Sequence, residues 1–215
     1  QPLSLRAGTV ILTNAGGTAI LATDACEEHG VSLATLETET TNALREVLPA
    51  AASVYNPVDI LGDAPAERYA QAAQILLRDP NVASLIVVLT PQAITEAEAT
   101  AIAIADATAG SGITTLAVFM GDATVASAVG VLKDRGIPGY AFPERAVSTL
   151  AAMERYRAFR EAPPSEPCAV DLDAPTIRAA IDHAREARRT FITESSAQRV
   201  AEACGIPTPK AGLAT

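Results

Sequence analysis

Hydrophobic and polar positions along the chain alternate between two periods. Thr9–Thr13, Ala83–Leu89 (ASLIVVL) and Thr114–Phe119 are short runs apolar on both faces, the pattern of central parallel strands. Val31–Leu36 and Gly139–Phe142 read as two further short strands. Between them the spacing changes to the helical one. Tyr69, Ala72, Ala73, Leu76 and Leu77 fall at i, i+3, i+4, i+7 within Ala66–Arg78, which predicts a half-buried helix with Pro65 at its first turn. Helices are likewise predicted over Thr18–Glu28, stopped by His29-Gly30, and over Thr38–Leu48, with Thr38 as N-cap and Pro49 as stop. Others open at Thr95 and run over Ala123–Lys133 and Pro143–Phe159. Tyr55–Asp63 (YNPVDILGD) reads as a loop, with Asn-Pro and Gly-Asp turn chemistry at its ends.

Strands that alternate with helices predict an α/β fold with a doubly wound, five-stranded parallel sheet, and the flavodoxin-like order 2-1-3-4-5 is expected. After Arg160 the pattern breaks. Glu161–Pro167 (EAPPSEP) reads as a linker, Ala174–Thr190 as an Arg-rich helix, and Thr193–Cys204 as a helix stopped by Gly205. The expected division is 1–160 for the sheet domain, 161–190 for linker and helix, and 191–215 for the start of another domain. The chain opens on Gln1 and stops just after that last unit begins, so a fragment of a longer protein is expected.

Composition narrows the function classes. Of 215 residues 49% are hydrophobic, enough for a full core, and no apolar run reaches the roughly 20 residues of a membrane span. A net charge of −9 argues against a nucleic-acid partner. Cys26, Cys168 and Cys204 are odd in number and far apart, which suits a reducing cytoplasm and spells neither a metal site nor a disulfide framework. No signal peptide is evident, so a cytoplasmic location is expected.

In a sheet of this kind ligands bind at the C-terminal ends of the strands. The loop after the first strand, Asn14, Ala15, Gly16 and Gly17, is the leading candidate. A strand that breaks on glycines into a helix aims free N–H groups and a positive dipole end at the gap, and the glycines let a ligand come close. A lone phosphoryl group is the expected anion. No Gly-Lys-Ser/Thr follows as in a nucleotide-binding P-loop, and there is no G-x-G-x-x-G. A plain packing turn fits the same residues. Thr90 and Gln92 after the third strand, Gly121 after the fourth, and Asn56, Asp59 and Gly62 from the intervening loop are expected around it. Asp59 and Asp63 could serve as general base or metal ligand, or as turn and cap residues, with Asp63 two residues before Pro65. His29 and His183, the two histidines, read as surface residues, Cys26 as a small core residue, and Arg178, Arg185, Arg188 and Arg189 as a solvated helix face. No catalytic residue and no metal ligand is assigned.

Four motifs in order, ILTNAGG, NPVDILGDA, TPQAIT and LAVFMG, resemble the second flavodoxin-like domain of the NDP-forming acyl-CoA synthetases, the ADP-forming relatives of succinyl-CoA synthetase. The resemblance covers about Arg6–Phe159. SSAQRVAEACGIPTPKAGLAT is similar to the opening helix and strand of the ATP-grasp domain that follows in fused members. It implies a ligase that converts ATP, a carboxylic acid and CoA to ADP, phosphate and acyl-CoA through a phosphohistidine. In that family helix N-termini from two domains face the phosphohistidine, and the segment matching one of them is Asn14–Gly17. The family's Ser-His-Thr-Gly-Ser type motif is absent, so neither His29 nor His183 inherits the histidine's role. Position 18 is Thr where many members carry Pro. The resemblance thus implies a phosphate-cradling domain inactive alone. CoA-binding and ATP-grasp domains or subunits are its implied partners, ATP, Mg and CoA are implied for the full-length enzyme, and a homo-oligomer is allowed. Alternatives are a non-catalytic, acyl-CoA-sensing module of a protein acyltransferase and a generic flavodoxin-like domain for FMN or a nucleotide, for which Tyr55 is the one nearby aromatic.

Overall fold

A computed structural model describes residues 2, 8–163 and 171–209. They form two compact units that part at Ala162–Pro163. The linker residues 164–167, Cys168 and the exit beyond Pro209 lie outside the described residues.

The first unit is an all-parallel five-stranded sheet in the order β2-β1-β3-β4-β5. Its strands are β1 (Thr9–Thr13), β2 (Val58–Asp59), β3 (Ser84–Leu89), β4 (Thr114–Phe119) and β5 (Gly139–Tyr140). The central strands are buried on both faces because each successive side chain enters a different core. Val10 and Leu12, Leu85, Val87 and Leu89, and Ala117 and Phe119 join one core. Ile11, Ile86, Val88, Leu116 and Val118 join the other.

Six helices cover the two faces: α1 (Gly16–His29), α2 (Thr38–Val47), α3 (Ala66–Leu76), α4 (Ala97–Thr108), α5 (Ala126–Asp134) and α6 (Pro143–Glu161). α1 and α6 share one face, and α2 to α5 follow one another across the other. α1 buries only small side chains, Thr18, Ala19, Ala22, Ala25 and Cys26. It therefore lies close on β1 and on the Ala146, Val147, Leu150 and Ala151 stripe of α6.

The order 2-1-3-4-5 is the expected one, but the edge strand is not. Only Leu33 of Val31–Leu36 bridges to β1, opposite Thr9. The strand that extends β1 to its upper end is Val58–Asp59, in the segment read as a loop, with Leu12 opposite Val58 and Thr13 opposite Asp59. Between these two partial edge strands the Asn56 side chain stands in for backbone. Its Oδ1 accepts from Ile11 N (3.0 Å), and its Nδ2 donates to Thr9 O (2.8 Å) and Ala34 O (3.0 Å).

Other local expectations change. α1 starts at Gly16, with Ala15 at the N-cap, so both glycines lie inside its first turn. The α2 cap is Glu37 rather than Thr38, and its N–H is taken by Asp79 Oδ2 at 2.8 Å. Asp63 does not cap α3. It pairs with Arg68 at 2.7 Å, and Pro65 is the N-cap. A 3-10 turn, Asp122–Val125, precedes α5.

The second unit holds α7 (Ala174–Glu186) and α8 (Glu194–Ala203). Asp173 caps α7 by accepting from Thr176 N and Thr176 Oγ1, and those two bonds hold its carboxyl below the usual carboxylate range. His183, Arg178, Arg185, Arg188 and Arg189 are all exposed. Among the described residues, no helix is long and apolar enough to cross a membrane.

Candidate functional site: the upper edge of the sheet

The loops after β1, β2, β3 and β4 converge at the C-terminal end of the sheet. Asn14, 3% exposed, leaves β1 and reaches across to the end of β3. Its Nδ2 donates to Thr90 O at 2.9 Å and its Oδ1 accepts from Thr90 N at 2.8 Å. The side chain is thus engaged inside the protein with both its oxygen and its nitrogen, and it fixes the placement of the turn. Thr13 Oγ1 holds that turn from within, accepting from Ala15 N at 3.0 Å.

The first turn of α1 then faces outward. The N-cap Ala15 supplies no side-chain cap. Gly16 and Gly17 are exposed, and a Cβ at Gly17 would meet nothing within 4 Å. The leading N–H groups of a helix are unsatisfied by the helix itself and carry its positive dipole end. On the Gly17 side they stand open.

A carboxylate borders this opening. Asp59, at the end of β2, accepts from Leu61 N through Oδ1 at 2.9 Å. Its Oδ2 lies 3.3 Å from where a Gly16 Cβ would sit. Gly62 packs against Gln92 Cγ and the Asn14 carbonyl, at 3.6 and 3.8 Å from its own notional Cβ. Gly121, at φ +119°, closes the row: a Cβ there would come within 2.8 Å of Pro91 Cγ and 2.6 Å of Thr124 Oγ1. Thr90 Oγ1 is buried and has no hydrogen-bond partner among the described residues.

Nine of the ten expected site residues therefore stand at one edge: Asn14, Ala15, Gly16, Gly17, Asp59, Gly62, Thr90, Gln92 and Gly121. Asn56 is the exception, because its amide works inside the β1 ladder. The sequence reading missed Tyr69. It took this residue as part of the apolar face of α3, yet the hydroxyl donates to Val88 O at 3.1 Å just below the turn. Burial pushes the hydroxyl far up, the Asp59 charge adds to the shift, and the Asn14 backbone amide opposes it.

Among the described residues no group of three or more His, Cys, Asp and Glu is placed to hold a metal ion. His29 is exposed at the end of α1, and Cys26 is buried, its thiol pushed up to about 11 by burial and then by Glu154. What this edge can do chemically is receive an anion on backbone N–H groups, next to one carboxylate.

The sequence profile of the Ligase-CoA domain matches residues 9–163, the whole sheet unit. The chain belongs to that family. Relatives agree. The ADP-forming acetate–CoA ligase I of Archaeoglobus fulgidus is 41% identical over 146 residues, which are 68% of this chain and 20% of the relative. The ADP-forming 4-hydroxybutyrate–CoA ligase of Nitrosopumilus maritimus is 32% identical over 214 residues, 100% of this chain and 30% of the relative. This Ligase-CoA chain therefore spans less than a third of these two relatives' length.

Solved structures give the same fold. A Pyrococcus horikoshii protein superposes with a TM-score of 0.72 at 35% identity, over 75% of this chain and 38% of that one. The dinucleotide-forming acetyl-coenzyme A synthetase 1 of Ca. Korarchaeum cryptofilum, in complex with phosphate and ADP, does so with a TM-score of 0.69 at 30% identity, over 74% of this chain and 35% of that one.

Proposed function

We propose that this Ligase-CoA chain is part of an ADP-forming acid–CoA ligase and that its task is to receive a phosphoryl group at the first turn of α1. The observation that carries the proposal is that turn. It is open at Gly17, uncapped by any side chain among the described residues, and placed where four strand-end loops meet. Backbone N–H groups at a helix N-terminus bind phosphate oxygens without needing a lysine. Held rigidly, they stabilise charge on a group in transit.

The reaction of the full-length protein is then ATP, a carboxylic acid and CoA going to ADP, phosphate and acyl-CoA. The phosphohistidine comes from another domain or subunit and is set opposite α1. ATP and Mg belong to an ATP-grasp domain, whose opening begins at residue 191 after the linker and helix of 161–190. CoA belongs to a separate CoA-binding domain. Asn14, Thr90, Gln92, Gly62 and Gly121 serve the site by shaping its loops, and Asp59 by bordering it.

The test is Gly17→Val in the full-length enzyme. The added side chain meets no protein atom where its Cβ attaches, so the fold is retained. It stands over the helix N-terminus, so acyl-CoA formation falls by roughly a hundredfold or more, the scale of losing a preorganised donor. Unchanged turnover with normal folding would return the loop to a packing turn.

A further inference from the structure

We propose that Tyr69 is a positioning residue for the phosphate turn, a role that rests on the phosphate reading above. Tyr69 comes from α3, on the face of the sheet opposite α1, and is fully buried. Most of its ring serves the core, where a phenylalanine would do as well. The hydroxyl does something a phenylalanine could not. It donates to the carbonyl of Val88, the residue paired with Thr13 across β1 and β3. Asn14 is the residue that follows Thr13, at the point where the chain leaves β1. The hydroxyl thus fixes β3 at the residue that pairs with the last residue of β1.

Asn14 makes a second tie above it through its side chain, to Thr90 beyond β3. The turn is consequently held at Asn14 through its side-chain amide and at Ala15 through Thr13 Oγ1, beside the strand end that the hydroxyl fixes. The geometry leaves little freedom for Ala15–Gly17 relative to β3. A site whose donors must already be in place when charge arrives needs that rigidity.

The experiment is Tyr69→Phe in the full-length protein, assayed in the direction acyl-CoA + orthophosphate + ADP, with Gly17→Val and wild type alongside. The expected result is a roughly tenfold fall in kcat/KM for orthophosphate, with the KM for ADP unchanged. Melting temperature and circular dichroism, measured in parallel, separate this from loss of fold. A variant that is merely less stable, with kcat/KM for orthophosphate intact, overturns the positioning role while a crippled Gly17→Val leaves the phosphate reading standing. If Gly17→Val is fully active as well, the phosphate reading itself has failed. If all substrates suffer equally in Tyr69→Phe, the hydroxyl is a general structural tie and the proposal is overturned.

Discussion

Asn14 and Thr90, 76 residues apart in sequence, hold each other by two hydrogen bonds that join the ends of β1 and β3. The pairing is complete, since one side-chain amide satisfies both the N–H and the C=O of one backbone residue. Deleting it leaves two backbone groups of a partly buried residue without partners. Asn14→Ala is therefore expected to destabilise the first unit by about 2 kcal/mol. Asn14→Asp should also destabilise it, because a carboxylate would face the Thr90 carbonyl where the amide now donates. Urea unfolding of both variants checks this; stability within ~0.5 kcal/mol of wild type would show the clasp to be dispensable.

Asn56 bridges a break in the edge of the sheet with three hydrogen bonds to Ile11, Thr9 and Ala34. Asn56→Ala leaves the Ile11 amide unpaired inside the sheet, and a loss of about 3 kcal/mol is expected. Asn56→Asp keeps the acceptor for Ile11 N but brings charge against two carbonyls, so it should be no better. Denaturant midpoints compare them directly.

Gly121 sits at φ +119° with Pro91 and Thr124 where a side chain would go. Gly121→Ala meets both obstacles, an unfavourable backbone conformation and a steric clash, and should cost about 1–3 kcal/mol. Because Pro91 follows Thr90 directly, displacement there should also loosen the Asn14 clasp. Faster amide exchange at Thr90 in the variant would register it.

Cys26 stays protonated in the folded state up to about 11, against an ordinary thiol value of about 8.5. A raised folded-state value favours the neutral form. Its contribution is therefore whole below the unfolded value and is lost as pH rises towards about 11. Between pH 9 and 11 the stability of wild type should fall more steeply than that of Cys26→Ala, as read from urea midpoints. At pH 8 a thiol reagent should modify partly exposed Cys204 well before Cys26.

The two-sided apolar runs of β3 and β4 are legible in the sequence because a strand buried on both faces has no polar position to spare. Their alternation with helices sufficed for the sheet order. The glycine turn after β1 was legible for a similar local reason, and the companion motifs pointed to its family. The edge strand was not. Val31–Leu36 has the composition of a strand, whereas Val58–Asp59 is two residues between a proline and a turn. Asn56 stands between the two, its side chain occupying backbone positions of the ladder just below the pair docked on Leu12 and Thr13.

The sequence by itself determined the fold class, the family resemblance and the row of loops where a ligand would be met, because each depends on local spacing and on residue types that sit together in the chain. Only the tertiary structure decided what each loop residue does there. Asn14 turned inward to Thr90, Asp63 was taken by Arg68, Asp59 came to lie beside Gly16, and Tyr69 reached from the far side of the sheet to the end of β3. Those roles depend on contacts between segments distant in sequence, and a hydrogen bond's partner is fixed by where the packed core brings the backbone rather than by the residues next to it.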